Sequence, residues 1–468
     1  MKRVITLMLA LAMVFGAVAT SSATDIKAKG TFQMGYQWTD NNDFNDTEAD
    51  SESEDDFVAA QRFRTQIDMV ASENLSGVVF FEIDHVWGRN SATTAGNDGA
   101  LGSDGVNVET RRAYIDWTVP NTALDIRMGM QGLALPGAVA GSPILDDDVA
   151  AVVASYKFND MFSMTALWAR PFDTESVTEN DANNQDEMDM FGLIGGIKLD
   201  GMEFTPYAVY SAIGKDTTAV ANLQSLSGVQ GLATAEDNAR AYWLGMGYSL
   251  DMFDPIVFSM DAIYGAVDAG DVATAGVDDN ALDRSGWTVI GKLSYKMDMV
   301  TPGIIGWYAS GEDDDLDNGS ERMPFVSAAF SPTTFGYDGY AVGFAAGDVL
   351  GTSNSGTWAA GLLLEDIKVI DSLTSQVRVV YVKGTNDNDV VAAAGLANPT
   401  SAGSDAIFLT DEDSAWEINF DHKYDIYENL ALFVEMGYIN LDLDEDTWGN
   451  DTFDEDAYKM GFYFQYTF

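Results

Sequence analysis

The chain closes on GFYFQYTF. In an extended strand Phe462, Phe464, Tyr466 and Phe468 point one way, and Gly461, Tyr463, Gln465 and Thr467 point the other. The same period of two recurs far upstream. In KAKGTFQMGYQW, Lys27, Lys29, Thr31, Gln33 and Gln37 oppose Ala28, Phe32, Met34, Tyr36 and Trp38. In AQRFRTQIDMV, Arg62, Arg64, Gln66 and Asp68 oppose Phe63, Thr65, Ile67 and Met69. RAYIDW sets Arg112, Tyr114 and Asp116 against Ala113, Ile115 and Trp117, and ALDIRMGMQ sets Asp125, Arg127 and Gln131 against Leu124, Ile126, Met128 and Met130. This is the period of strands, not of helices. One face is apolar, with aromatic residues near the strand ends, and the other carries charge in the strand middles. Strands of about ten residues with that pattern fit a barrel in lipid that encloses water. Hydrocarbon cannot satisfy backbone N–H and C=O groups, so only a closed sheet without free edges is stable there.

Charge and composition narrow the choice. The net charge is −50 over 468 residues, and the acid lies in blocks such as Asp40–Asp56 and GEDDDLDNG. Such blocks read as solvated loops, and so negative a chain excludes nucleic acid as a partner. Residues 1–23 read as a secretory signal peptide: a basic MKR, a short apolar run, and small residues at SSA. Beyond them no apolar stretch approaches the ~20 residues of a membrane helix. There is no cysteine, and His85 and His422 are the only histidines. Neither sits in a serine-nucleophile motif, so no enzyme is expected.

Short turns such as SENLSG, VPNTA and IYEN alternate with long acidic or Gly/Ala/Ser-rich loops. The fold expected is therefore all-β: a transmembrane antiparallel β-barrel of about 18 strands (alternatively about 16), with short periplasmic turns and long acidic extracellular loops. Residues 24–468 read as one barrel domain.

On these residues, together with the opening DIKAKGTFQMGYQ and the terminal YFQYTF, the chain resembles the trimeric porins of Gram-negative outer membranes. It looks most like the homotrimeric porin family of sulfate-reducing deltaproteobacteria. The resemblance implies an outer-membrane homotrimer that passes small hydrophilic solutes and ions by passive diffusion. It also implies that Phe462, Phe464, Tyr466 and Phe468 form a signal read by the barrel-assembly machinery. A third loop folded inward, about 134–149, would carry Asp146, Asp147 and Asp148. These would face a basic wall of Arg62, Arg64, Arg112 and Arg127 across a constriction. Opposed charges there would set a transverse field. The alternative is that the arginines pair locally along the wall.

Asp313, Asp315 and Asp317 in GEDDDLDNG have the odd spacing of an EF-hand loop, but Gly319 comes one place late and Pro324 stands where a bidentate Glu is needed. Loose Ca²⁺ or Mg²⁺ binding by acidic loops, bridging to lipopolysaccharide phosphate, is the divalent expectation; no other cofactor is expected. Two other function classes stay open. One is a channel selective for sugars or organic acids, with interior aromatics such as Tyr114 and Tyr463. The other is a structural or adhesive surface barrel. The acidic loops favour a weak cation preference, which the arginine wall would oppose.

Overall fold

In the computed structural model, the described residues are 24–41, 44, 56–89, 99–102, 108–173, 186–215, 217, 221–337, 349–399, 407–449 and 456–468. The signal-peptide reading, residues 1–23, lies outside them.

Strands β1 (Asp25–Asp40), β2 (Asp56–Ser72), β3 (Leu75–Val86), β4 (Glu109–Thr118), β5 (Leu124–Ala134) and β6 (Asp146–Lys157) make one arc of the wall. Strands β7 (Phe162–Asp173), β8 (Glu187–Leu199), β9 (Met202–Ile213), β10 (Ala239–Phe253), β11 (Ile256–Asp268) and β12 (Arg284–Tyr295) continue it. Strands β13 (Thr301–Ala309), β14 (Thr357–Ile370), β15 (Leu373–Gly384), β16 (Ser414–Tyr427), β17 (Leu430–Asp442) and β18 (Asp456–Thr467) complete it. Each strand pairs antiparallel with its chain neighbours. β1 also pairs with β18, from Thr31 opposite Thr467 to Asp40 opposite Tyr458. The 18-stranded sheet is thus closed, as the alternation requires.

The apolar face points outward. Phe32, Trp38, Phe57, Leu293, Leu362 and Phe420 are all exposed there. Aromatic contacts gather near both rims, with Trp38 against Phe57 at 4.7 Å on one and Phe158 against Phe162 at 5.0 Å on the other. Tyr and Trp belong at these levels because their bodies are apolar and their tips polar.

The interior departs from the simple alternating picture. Along β6 to β12 many inward residues are also apolar and buried, among them Val149, Ala151, Met190, Val209, Trp243 and Ile263, with a few buried polar groups such as Asp261 and Thr288 between them. What covers them is loop. Residues 135–145, between β5 and β6, turn into the lumen and lie along the segment 323–331 of the loop between β13 and β14. The N–H groups of Val326, Ala329 and Ser331 donate to the carbonyls of Ile144, Ser142 and Ala140 at 2.9, 2.8 and 2.8 Å. Gly141 sits at φ +88° where this pair passes closest, and a Cβ there would lie 2.1 Å from the Ala329 carbonyl oxygen. Only glycine fits.

Further round, Phe330 and Tyr337 are fully buried with Trp307 from β13, their rings meeting edge-on at 5.1 to 5.7 Å. Each such side chain contributes about 1.5–3 kcal/mol of burial. That marks the segment from Met323 to Tyr337 as a packed filling of the lumen. Among the described residues between β13 and β14 no further strand forms.

Candidate functional site

The inner wall of β2 to β5 stays charged and partly open. Register sets Arg62 directly opposite Asp84 and Arg64 opposite Glu82. Arg62 Nη2 lies 2.8 Å from Asp84, and Arg64 bonds Glu82 through Nε. On the next hairpin, Arg127 donates to both oxygens of Asp116 at 2.7 and 3.0 Å. Its guanidinium stands 4.4 Å from the centre of the Tyr114 ring, and that of Arg112 stands 5.6 Å from Phe80. Cations over ring faces are held there by the ring quadrupole.

One arginine of this wall breaks the alternation. Pairing between β3 and β4 skips a residue, with Arg112 opposite Phe80 and Thr110 opposite Phe81. Arg111 is the extra residue of that bulge, which re-aims its side chain. It bridges Glu82 at 3.0 Å and Asp148 at 2.7 Å, and Arg112 reaches the other oxygen of Asp148 at 2.5 Å. A period-two reading assigns neighbouring residues to opposite faces and so misses Arg111. The one available signal was the doubled Arg111–Arg112 itself.

The three aspartates need a correction. Asp146, Asp147 and Asp148 are not loop residues facing the arginines across a gap; they open β6. They pair with Ala134, Leu133 and Gly132 of β5, and the inserted loop is 135–145. Asp148 touches the basic wall directly, while Asp147 accepts from Ser327 of the long loop at 2.8 Å. In place of a field between opposed walls there is a ladder of local pairs. Four guanidiniums (Arg62, Arg64, Arg111 and Arg112) share three carboxylates (Glu82, Asp84 and Asp148), and Asp146 lies within electrostatic reach of Arg112, so the charges of the cluster come close to balance. Its side chains, with Arg127, remain 20–41% exposed on the basic side. Because the inserted loops cover the inner faces of β6 to β12, solvent reaches the wall on the β2 to β5 side.

Loop anchoring uses buried acids. Asp261 of β11, fully buried, accepts from the N–H groups of Ala138 and Val139 at 2.7 and 3.0 Å, which ties the tip of the 135–145 loop to a distant strand. On β16, Glu417 accepts from Thr333 and the Phe335 N–H, and Asp421 accepts from Thr334. Within the loops, burial pushes the Glu312 carboxyl above its ordinary value, although Arg322 and the Ser320 hydroxyl partly oppose it. Burial likewise raises Asp413, against the N–H groups of Asp444 and Thr410.

The remaining sequence candidates fall as follows. Phe462, Phe464 and Tyr466 lie on β18 with Phe468 just beyond it, and Phe468 packs on Phe32 and Phe63 at 5.8 and 6.2 Å. Tyr463 is fully buried inside and donates to Gln37 at 2.6 Å. Asp313 and Asp315 accept from the N–H groups of Asp315 and Asp317 at 2.9 and 3.0 Å, in successive tight turns. Among the described residues no three metal-ligating side chains gather. His422 does meet a serine, Ser375, at 2.7 Å. The pair lies on the outward face, the His422 ring packs on Phe420 at 4.1 Å, and no described carboxylate orients the ring. A nucleophile–base pair needs that third group and an oxyanion site.

In fold, the chain is similar to the crystal structure of OccAB3 from Acinetobacter baumannii, with a TM-score of 0.56 and 13% identity over 95% of this chain and 99% of that one. It is also similar to OpdK from Pseudomonas aeruginosa, solved with vanillate: TM-score 0.54, 11% identity, 95% and 98% covered. OpdQ from the same organism gives 0.53 and 12%, over 95% and 98%. The fold is that of an outer-membrane porin barrel. No family's sequence model matches the chain, and no curated protein matches it in sequence.

Proposed function

We propose that the protein is an outer-membrane channel for small hydrophilic solutes and ions, with a narrow water path running down the β2 to β5 side of the barrel. The observation that carries this reading is the contrast between the two parts of the lumen. The inner faces of β6 to β12 are covered by apolar loop, whereas Arg62, Arg64, Arg112 and Arg127 stay in contact with solvent. A wall of paired guanidiniums and carboxylates desolvates polar solutes at low cost. The narrowing by both loops favours solute selection over wide-open diffusion. Within that selection, the ring-stacked Arg112 and Arg127 suit organic acids better than sugars.

Acidic outer loops enrich cations at the mouth, and the nearly balanced charges of the ladder do little to oppose them. A weak cation preference results, and it fades with salt as screening shortens to about 8 Å at physiological ionic strength. Recording in planar bilayers under a KCl gradient tests both points. Stepwise conductance with a cation-sided reversal potential supports the reading. A silent bilayer from a folded, heat-modifiable barrel would remove it and favour a structural surface barrel.

A homotrimer, as in the porin family of sulfate reducers, is part of the proposal; crosslinking in native membranes tests it. So are delivery by the assembly machinery and contact with lipopolysaccharide. Loose Ca²⁺ or Mg²⁺ binding at Asp313, Asp315 and Asp317 is tested by EDTA: an unchanged unfolding temperature and oligomer content would end it.

A further inference from the structure

The loop of residues 135–145 carries no ionisable side chain, and neither does the segment 323–331 that it lies along. Its tip, residues 136–139, is bracketed by two backbone bonds. On one side the Leu135 N–H donates to Leu145 at 2.9 Å, and on the other the Ser331 N–H donates to Ala140 at 2.8 Å. Between them the tip makes two hydrogen bonds, both to one carboxyl: the N–H groups of Ala138 and Val139 donate to Asp261 Oδ1 and Oδ2 at 2.7 and 3.0 Å. Gly137 and Ala138 are exposed within the lumen, so the tip borders open space. The wall gives way to it at Gly247, opposite Asp261 in register, where a Cβ would lie 3.5 Å from that of Ala138.

Asp261 is fully buried, and among the described residues no base pairs with it. On β12 Ile290 stands opposite it, and Lys292, the next inward residue there, is held by Glu365 at 2.7 Å. From β9 come Thr205, whose hydroxyl donates to the Gly247 carbonyl at 3.2 Å, and Tyr207, a buried phenol that stays neutral in acid. Among the described residues Asp261 is thus the one charged group hydrogen-bonded to the tip. As an anion it offers an acceptor to each N–H, and charged acceptors make bonds roughly twice as strong as neutral ones. Protonation leaves one oxygen as an acceptor and turns the other into a donor that meets an N–H group.

We infer that Asp261 is an acid-released latch: its protonation frees residues 136–139 from the inner face of β11 and widens the water path, and neutral pH restores the closed tip. The widening rests on the channel reading; release of the tip does not.

Hydrogen–deuterium exchange of the full barrel in detergent micelles tests the release. The peptide covering 135–145 is followed in the parent and in Asp261→Asn, at about pH 7.5 and about pH 4.5, with the intrinsic pH dependence of exchange removed. In the parent, exchange at Ala138 and Val139 should rise about tenfold in acid, the size of one charge-assisted bond. Asp261→Asn has no proton to take up and should exchange alike at both. The heat-modifiable band checks that each sample is folded. Polymer exclusion in planar bilayers reads the widening: acid should admit larger polyethylene glycols to the parent and leave the cut-off of the variant where it was. The carboxylates of the β2 to β5 wall are common to both proteins and cancel. Tip protection that is unchanged in acid, or that falls equally in Asp261→Asn, overturns the inference. If the variant does not fold, the parent still decides, because a tip that ignores acid ends the latch. Tip release in a barrel that stays silent in the bilayer sinks only the channel reading, and a conducting barrel with a pH-blind tip sinks only the latch.

Discussion

Gly30 and Phe468 exchange both of their backbone hydrogen bonds, at 3.0 Å in each direction. The last residue of the chain is thereby stitched to the first strand, and the seam of the barrel is complete. A Cβ at Gly30 would lie 2.9 Å from the Phe468 ring and 2.1 Å from the Arg64 carbonyl oxygen. Gly30→Val is expected to open the seam and abolish the heat-modifiable band on electrophoresis, because an unclosed sheet has no stable place in lipid.

Phe468→Ala separates closure from addressing. The backbone bonds survive, and loss of ring contacts with Phe32 and Phe63 costs about 0.5–1.5 kcal/mol each. Refolding in detergent should proceed with a modest loss of stability. If the C-terminal aromatic is an assembly address, the amount of barrel reaching the outer membrane in cells should fall far more than the refolding yield. Equal losses in both assays would leave only the closing role.

Arg111→Gln leaves Glu82 short of one partner and Asp148 with Arg112 alone. Removing one side of a charged hydrogen bond costs about 1–3 kcal/mol. The cluster also loses one positive charge, so the reversal potential should move further to the cation side while single-channel conductance stays near the parent value. A reversal potential that does not move would place Arg111 away from the ion path.

Asp261→Ala removes the acceptor for two N–H groups of the 135–145 loop, each about 1–3 kcal/mol when left buried and unpaired. The loop tip should loosen. Larger and noisier conductance steps are expected, together with faster cleavage of the loop by added protease. Asp261→Asn, which keeps an acceptor oxygen, should sit between Ala and parent on both readouts.

Glu312 holds its proton to higher pH in the folded chain than in the unfolded one. The folded state therefore binds more protons, and stability falls as pH rises from the ordinary carboxylate range through the raised value. Glu312→Gln removes this contribution. The variant should gain on the parent in thermal midpoint as pH rises from about 4, the ordinary carboxyl range, to neutrality. A gap between variant and parent that is the same at every pH would contradict the burial argument; Asp413, raised for the same reason, stays in both proteins and cancels.

The strand number, the antiparallel order, the outward aromatics and the interior placement of Arg62, Arg64, Arg112 and Arg127 were all legible from period-two runs. Those runs are clean where one face meets lipid and the other meets water, as on β2 to β5. They blur on β6 to β12, where Met190 and Val209 face inward and are as apolar as their outward neighbours. Alternation reports a difference between two environments, and a loop-covered inner face is no longer different enough. Arg111 escaped for a related reason: a bulge resets the parity within a single residue.

The sequence alone determined a closed β-barrel, because an amphipathic strand repeated through residues 24–468, with no apolar stretch there long enough for a membrane helix, has no other way to satisfy its backbone in lipid. Tertiary structure decided what fills it. Asp146, Asp147 and Asp148 lie in a loop or in a strand according to a register that only the pairing of β5 with β6 sets. Whether Arg112 faces an acid across a gap or grips Asp148 depends on side chains more than thirty residues apart in sequence. The meeting of the 135–145 loop with residues 323–331 depends on the ring as a whole bringing their strands to a common lumen. Local pattern carries no information about such meetings, since the same residues in a loop turned outward would read identically.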